Sequence, residues 1–132
     1  MIKKFLPILI ASLAITNIAQ AQALYQGKVG QKPLEVVLIY LQDKLPDGYA
    51  EGRQVTTIKQ ERIGCTNKQR CLPSTKITFT IDGLEDDSIR AERHILTLEQ
   101  APNQPWQIIQ KDMSQACRKG RGHTKFATKP CI

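Results

Sequence analysis

The segment from Cys117 to Cys131 holds the densest set of side chains that could bind a ligand. Basic residues alternate with glycines in its first half, and the candidate anion-binding residues are Arg118, Lys119, Gly120, Arg121, Gly122, His123 and Lys125. Glycines let successive backbone N–H groups turn towards one point, and guanidinium groups offer forked donors to phosphate or carboxylate. A disulfide closing the segment would lower the entropy cost of presenting these groups. The pattern predicts an anion-binding loop; the alternative is a solvated basic tail that the disulfide merely staples down.

The charge distribution points to the same segment. The formal charge of +7 falls to +5 when Lys3 and Lys4 leave with a signal peptide, and acidic and basic residues balance over 24–112. Residues 113–132 contain five cations and no acid. Such a cationic end favours an anionic envelope polymer, a lipid phosphate or an acidic protein surface as partner. Specific nucleic-acid binding is not favoured, because stacking needs aromatic side chains and the loop has only Phe126.

The four cysteines predict two disulfides. Three pairings are open, and the local couples Cys65–Cys71 and Cys117–Cys131 are favoured because each pair is close in sequence. The second would close a loop of about 15 residues, worth about 3 kcal/mol in the chain-entropy model. Cys-x5-Cys and Cys-x13-Cys are not zinc-site spacings, so we expect no metal and no cofactor.

Residues 1–23 have the layout of a cleaved signal peptide. A positive start at Met1–Lys4 precedes the apolar run Phe5–Ile15, and Ala21–Ala23 forms a small-x-small cleavage pattern. The apolar run is too short to span a membrane comfortably. We therefore expect residues 24–132 to form one exported domain without a transmembrane segment, located in the periplasm or secreted.

The periodicity of the mature chain predicts mainly strands. In Lys76–Ile81 the apolar residues alternate cleanly, so Ile77, Phe79 and Ile81 share one face. The other predicted strands are 24–29, Leu34–Leu41 (a central strand, with a helix as the minority interpretation), Tyr49–Lys59, Ile89–Glu99 and Trp106–Lys111, with a loop from Ser114 onward. The predicted fold is a mainly β, antiparallel single domain, either a sandwich or a partly open barrel. The alternative is an α+β fold with a helix at about 87–99.

Catalysis is not predicted. His94 and His123 could form an acid–base pair like that of a ribonuclease, but no spacing shows that they meet. A Gly-x-Ser-x-Gly elbow is missing, and a cysteine protease would need a free thiol. A small basic phosphodiesterase or ribonuclease-like hydrolase is the second alternative to a binding function.

The C-terminal third carries a recognisable pattern, a Trp-x-Ile strand followed by Cys-Arg-x-Gly-Arg-Gly-His-x-x-Phe and a final cysteine. Its residues are Trp106, Ile108, Cys117, Arg118, Gly120, Arg121, Gly122, His123, Phe126 and Cys131. The pattern resembles a group of small exported proteins of Gram-negative bacteria, and this resemblance implies export but no particular activity. The front half resembles periplasmic lysozyme-inhibitor-like β domains, which are small, exported and stapled by disulfides.

Together these patterns predict an exported, non-enzymatic binding domain whose cationic C-terminal loop, residues 117–131, engages an anionic partner in the cell envelope. The resemblance of the front half makes an inhibitor or immunity protein of a cell-wall-degrading enzyme the first alternative. A basic loop entering an acidic cleft is physically reasonable for such a protein. The sequence fixes neither the partner nor the oligomeric state.

Overall fold

Five strands form one antiparallel sheet. The computed structural model describes residues 22–45, 52–65 and 71–132. The strands are β1 (Tyr25–Gln26), β2 (Val55–Ile63), β3 (Ser74–Asp82), β4 (Ile89–Gln100) and β5 (Trp106–Cys117), in the spatial order β1-β5-β4-β3-β2. The mainly β, antiparallel prediction is confirmed. The sheet is a single open layer, however, and not the expected sandwich or partly open barrel.

Strands β3 and β4 follow the predicted alternation. Phe79 pairs with His94 and Ile77 pairs with Leu96, and all four side chains are buried. Paired residues of an antiparallel ladder lie on one face, so this face forms the floor of the core. The helix considered at about 87–99 is wrong, because the burial of this segment follows a period of two.

The strand predicted at Leu34–Leu41 is wrong, because the segment forms the helix α1 (Pro33–Tyr40). Pro33 occupies the first turn, where its fixed φ suits a helix and its missing N–H is not needed. The Lys32 N–H donates to the Glu35 carboxylate at 2.5 Å, which satisfies one of the free donors at the helix start. An open sheet leaves one apolar face bare, and the apolar side chains of α1 cover it.

The core lies between α1 and this sheet face. Its fully buried members are Val36, Val37, Leu41, Ile77, Phe79, Ile81, Leu96, Leu98 and Ile108. Gly27, which follows β1, lets the chain pass close to the helix: a Cβ there would lie 2.5 Å from Val36 Cγ2. The helix thus packs on β3, β4 and β5 and leaves the outer strand β2 exposed over most of its length.

Three strands differ clearly from their predicted bounds. Strand β1 covers only Tyr25–Gln26 of the predicted 24–29. Strand β5 continues to Cys117, so the loop predicted from Ser114 starts later, because residues 111–117 pair with β4 along their whole length. Strand β2 begins at Val55 and ends at Ile63, later than predicted, and 46–51 lie outside the described residues. A 3₁₀ turn at Gln42–Lys44 follows α1.

Both predicted disulfides are confirmed, and they lie at opposite ends of the sheet. Cys65–Cys71 links the ends of the β2–β3 connection, whose residues 66–70 are not described, and Cys117–Cys131 joins the end of β5 to the C-terminal segment. Disulfides are typical of an oxidising, non-cytoplasmic location. The predicted signal peptide falls almost wholly in residues 1–21, outside the described part. Within that part, no helix combines the length and the apolar character that crossing a membrane requires.

Candidate functional site

The C-terminal segment from Arg118 to Ile132 turns back along the free edge of β5. Gln115 and Ala127 exchange two backbone hydrogen bonds of 2.9 and 3.0 Å, which adds one antiparallel bridge beyond the sheet. The Cys117 N–H donates to the His123 carbonyl at 2.8 Å, and the disulfide holds Cys117 to Cys131 with a Cα–Cα distance of 5.5 Å. Several independent contacts therefore close the basic loop.

The tip of the loop is a tight turn at residues 118–121. The Arg121 N–H donates to the Arg118 carbonyl at 2.9 Å, and Gly120 has a φ of 81°, as the third residue of a type II turn requires. Gly122 has a φ of 126°, and a Cβ there would lie 3.2 Å from Cys117 Sγ. The first glycine serves the turn, and the second lets the chain pass close to the disulfide.

Arg118 anchors the loop to the β3–β4 connection. Its Nε donates to the Asp86 carbonyl and its second terminal nitrogen donates to the Leu84 carbonyl, both at 2.6 Å. The Arg118 N–H also donates to the Ser88 carbonyl, and Ser88 Oγ donates to the Ile132 carbonyl. Arg118 was predicted as an anion contact, but its guanidinium group is largely occupied by the protein itself.

Asp86 organises the connection to which the loop is anchored. One carboxylate oxygen accepts from the backbone N–H groups of Ile89 and Ser88, each at 2.7 Å. These two hydrogen bonds, with a smaller contribution from the positive charge of Arg118, hold the pKa of Asp86 below its ordinary value. The acidic run Glu85–Asp87 thus shapes the surface that receives the basic loop.

The imidazole of His123 lies inside the loop. Its Nδ1 is 2.8 Å from the Lys125 carbonyl oxygen and its Nε2 is 2.6 Å from the Lys129 carbonyl oxygen. Its Nε2 is also 3.5 Å from Cys117 Sγ. Because both nitrogens face backbone oxygens, the ring organises the loop, and the structure does not present it outward as the predicted anion contact would require.

The distal part of the loop packs on the sheet face opposite α1. The guanidinium carbon of Arg93 lies 3.7 Å from the centre of the Phe126 ring, a close cation–π contact. Arg93 immediately precedes the buried, core-facing His94, so its side chain projects from the other face. This contact adds a further attachment between the loop and the body of the protein.

The outward-facing part of the loop is cationic. Four of its basic residues are exposed and form no ion pair with any carboxylate of the described residues: Lys119, Arg121, Lys125 and Lys129. The N–H groups of Lys119 and Gly120 likewise donate to no acceptor in the described part of the chain. Lys129 was not among the predicted site residues, although its position before Cys131 could have indicated that it lies beside the other cations.

The second histidine, His94, is buried beneath the helix-covered side of the sheet. Its Nε2 lies 3.3 Å from a Glu92 carboxylate oxygen, and its Nδ1 has no hydrogen-bond partner among the described residues. Burial lowers the pKa of His94, and this outweighs the opposing influence of Glu92. His94 and His123 share no hydrogen-bond partner, so the contacts of these two rings do not define a common acid–base site.

The loop also groups three side chains that can ligate metals. Cys117 Sγ, Cys131 Sγ and a ring nitrogen of His123 all lie within 4.8 Å of one another. In the oxidised protein the two sulfurs are bonded to each other, so neither is a thiolate ligand. The sequence spacing of the cysteines did not indicate this group, because His123 joins it through the fold of the loop.

A groove lies at the opposite end of the sheet, beside the disulfide Cys65–Cys71. Its volume is about 600 Å³, and its apolar lining includes Pro33, Leu72 and Trp106. Trp106 thus lies at the edge of the core rather than fully inside it. The groove borders residues that the structure does not describe, and the basic loop is the better-defined site.

Comparison with protein-family models, with curated proteins and with solved structures found no match to this chain. The geometry of the basic loop therefore supplies the argument for function.

Proposed function

We propose that this protein is an exported, non-enzymatic binding domain whose basic C-terminal loop engages an anionic partner of the cell envelope. The observation that carries the proposal is the group of four exposed cations on the loop, none of which forms an ion pair with a carboxylate of the described residues. Surface cations are usually interspersed with acids, and this segment has none. Asp86 lies beside Arg118, but the four exposed cations have no carboxylate partner within the described residues, so they remain available to an external anion.

The attachment of the loop supports binding, because a pre-formed loop loses little entropy when it meets a ligand. The disulfide, the bridge between Gln115 and Ala127 and the Arg118 contacts all fix the backbone that carries the cations. The proposed contacts are the side chains of Lys119, Arg121, Lys125 and Lys129. Arg118 and His123 act as positioning residues that hold these contacts in place.

The proposed location is the periplasm or the extracellular medium. The two disulfides require an oxidising compartment, and the N-terminal pattern at 1–23 matches a signal peptide. The envelope of a Gram-negative bacterium is rich in phosphate and carboxylate groups. A short cationic loop would bind such a surface chiefly through charge and therefore in a salt-dependent way.

The test measures the binding of the exported protein to vesicles that contain phosphatidylglycerol, with neutral phosphatidylcholine vesicles for comparison. The variant Lys119→Ala/Arg121→Ala/Lys125→Ala removes three loop charges. Since each basic residue near an anionic surface contributes about 1 kcal/mol, we expect the affinity of this variant to fall by roughly two orders of magnitude. Binding of the unsubstituted protein should also weaken with added salt.

A matched control separates the loop from the net charge. The variant Lys28→Ala/Arg53→Ala/Arg62→Ala removes the same charge from exposed positions outside the loop. We expect it to keep most of the affinity. Equal losses in the two triple variants would show that net charge alone drives binding and would contradict the proposal, as would equal binding to neutral vesicles.

Inhibition of a cell-wall-degrading enzyme is the second candidate, and the projecting type II turn at residues 118–121 favours it. A rigid basic turn can enter an acidic active-site cleft with little loss of entropy. The experiment measures the activity of a lysozyme-type wall hydrolase as the protein is added. Inhibition that saturates at a one-to-one ratio and is lost in Lys119→Ala/Arg121→Ala would support this candidate, and undiminished hydrolysis would contradict it.

A further inference from the structure

The proximity of His123 to the disulfide Cys117–Cys131 has a chemical consequence beyond loop stability. Two cysteine sulfurs and one imidazole nitrogen lie within 4.8 Å of one another, a distance that suits ligands of a single metal ion. Thiolate and imidazole together are typical ligands of zinc and copper(I). In the oxidised protein the sulfur–sulfur bond blocks this use.

Contacts that do not involve sulfur hold the three residues in place. Cys117 is fixed by its N–H bond to the His123 carbonyl, and the strand that ends at Cys117 is bridged to Ala127. The neighbour of Cys131 is held from both sides, because the Ile132 N–H donates to Arg121 and the Ile132 carbonyl accepts from Ser88. The loop therefore has a means of keeping both cysteines near His123 after the disulfide is reduced.

The hydrogen bonds of His123 also suit a metal ligand. Nδ1 lies 2.8 Å from the Lys125 carbonyl oxygen, and a ligating histidine commonly donates its second ring N–H to such an oxygen. In the tautomer with the proton on Nδ1, the lone pair of Nε2, the atom 3.5 Å from Cys117 Sγ, is available to a metal ion. The Lys129 carbonyl oxygen, 2.6 Å away, only accepts, so Nε2 must give up both this contact and the proton it donates there before it binds a metal.

We propose that reduction of Cys117–Cys131 converts the base of the loop into a binding site for a thiophilic metal ion, with Cys117, Cys131 and His123 as ligands. A dithiol reductant supplies two electrons and two protons and is itself oxidised to a disulfide, while the sulfur–sulfur bond breaks to give two thiols. The metal ion then displaces one proton from each thiol. The fourth position of a tetrahedral ion stays open to water or to the Lys129 carbonyl oxygen.

The test uses Zn²⁺ alone as the probe. The background is Cys65→Ser/Cys71→Ser, which removes the other pair of thiols. A phosphine reduces the remaining disulfide without adding a competing thiol, and native mass spectrometry counts the bound metal. We expect one zinc ion per reduced chain, no zinc on the oxidised chain, and protection of both thiols from alkylation when zinc is present.

The ligand roles are checked by substitution. In the same background, His123→Ala should weaken zinc binding at least about tenfold. Loss of a group that only hydrogen-bonds to a metal ligand usually costs that much, and loss of the ligand itself should cost no less. His94→Ala, which removes the other histidine, is the matched control and should leave the zinc affinity unchanged. Undiminished zinc affinity in His123→Ala, or a reduced chain that binds no zinc, would overturn the proposal. So would loss of the sheet on reduction, measured by circular dichroism, because the site requires the folded loop.

Discussion

Arg118 donates from Nε to the carbonyl oxygen of Asp86 at 2.6 Å, across 32 residues of sequence. The same guanidinium group reaches the Leu84 carbonyl, so one side chain satisfies two acceptors of the β3–β4 connection. The loop and this connection therefore form one structural unit. A residue that the sequence presented as a ligand contact proves to be a structural clamp.

Replacement of Arg118 should destabilise the protein rather than merely weaken its binding. Hydrogen bonds from charged donors contribute about 1.5–3 kcal/mol each when well shielded, and this exposed pair should give about 1–2 kcal/mol in total. We expect Arg118→Ala to lower the free energy of unfolding by that amount, and Arg118→Lys to recover little because lysine lacks the fork. Urea denaturation measures the loss. Lys119→Ala, one residue away and exposed, is the control and should leave stability unchanged.

The helix-covered face should dominate the stability of the sheet. Phe79 is fully buried, while its cross-strand partner Ile58 is 39% exposed because α1 does not extend over β2. We expect Phe79→Ala to cost about 3–5 kcal/mol, as is usual for a buried aromatic side chain. Ile58→Ala should cost about 1 kcal/mol or less. Similar losses for the two variants, measured by denaturant unfolding, would contradict the position of the core.

A comparison of two glycine positions distinguishes the cost of backbone strain from the cost of steric crowding. Gly83 and Gly120 have nearly the same positive φ, 80° and 81°, but only Gly83 faces a close backbone atom, the Arg53 carbonyl oxygen. Gly120→Ala should cost about 1–2 kcal/mol, the usual penalty for an L-residue in this conformation. Gly83→Ala should cost distinctly more, because the backbone at Arg53, just before β2, must also move. Thermal unfolding of the two variants measures both losses of stability. Equal losses would mean that the contact of Gly83 with the Arg53 carbonyl oxygen is unimportant.

Burial of His94 should make the stability depend on pH. The folded state lowers the pKa of His94 below its ordinary value of 6.5, so the unfolded chain binds the proton more readily. Stability contributed by the neutral ring is therefore fully present above about pH 6.5 and falls as the pH drops from there towards the lowered pKa. Glu92 opposes the shift, while Lys111 and Lys44 reinforce it.

The variant His94→Leu isolates this contribution. Leucine fills similar space and has no titrating group, so we expect a smaller loss of stability between pH 7 and pH 5 than in the unsubstituted protein. Unfolding by urea at a series of pH values measures both curves, and His123 remains in each as a common background. If stability fell equally with pH in both proteins, His94 would not contribute the pH dependence that its burial predicts.

The parts of the fold that could be predicted are those with a local periodic signal. Strand β3 alternates because one face meets the core and the other does not, and its sequence carries that difference directly. The run Leu34–Leu41 is apolar on nearly every side, so its pattern did not distinguish a helix from a central strand. The tertiary structure determines that this run is a helix, because the apolar face of an open sheet must be covered by another element. Pro33 was the one local signal for a helix start.

The residues that make up the site could be predicted from the sequence, but the contacts of their side chains could not. The local spacing of the cysteines correctly predicted both disulfides, and with them the closure of 117–131. The partners of Arg118 and His123 are backbone carbonyl oxygens, which leave no trace in residue types. The Arg93–Phe126 contact joins residues far apart in the chain, so only the folded topology reveals it. Anion binding by the loop stays a prediction.

The exposure of β2 has a consequence for the motions of the sheet. Among the described residues this strand pairs with β3 alone, and most of its side chains are exposed. Elements with few buried contacts open with a smaller free energy than the whole domain unfolds. The amide hydrogens of β2 should therefore exchange with solvent before those of β4, through local openings in which β3 briefly becomes the edge of a still-folded sheet. During such openings a protease that cleaves after lysine or arginine should reach Lys59 and Arg62 of β2 before it reaches Arg90 and Arg93 of β4.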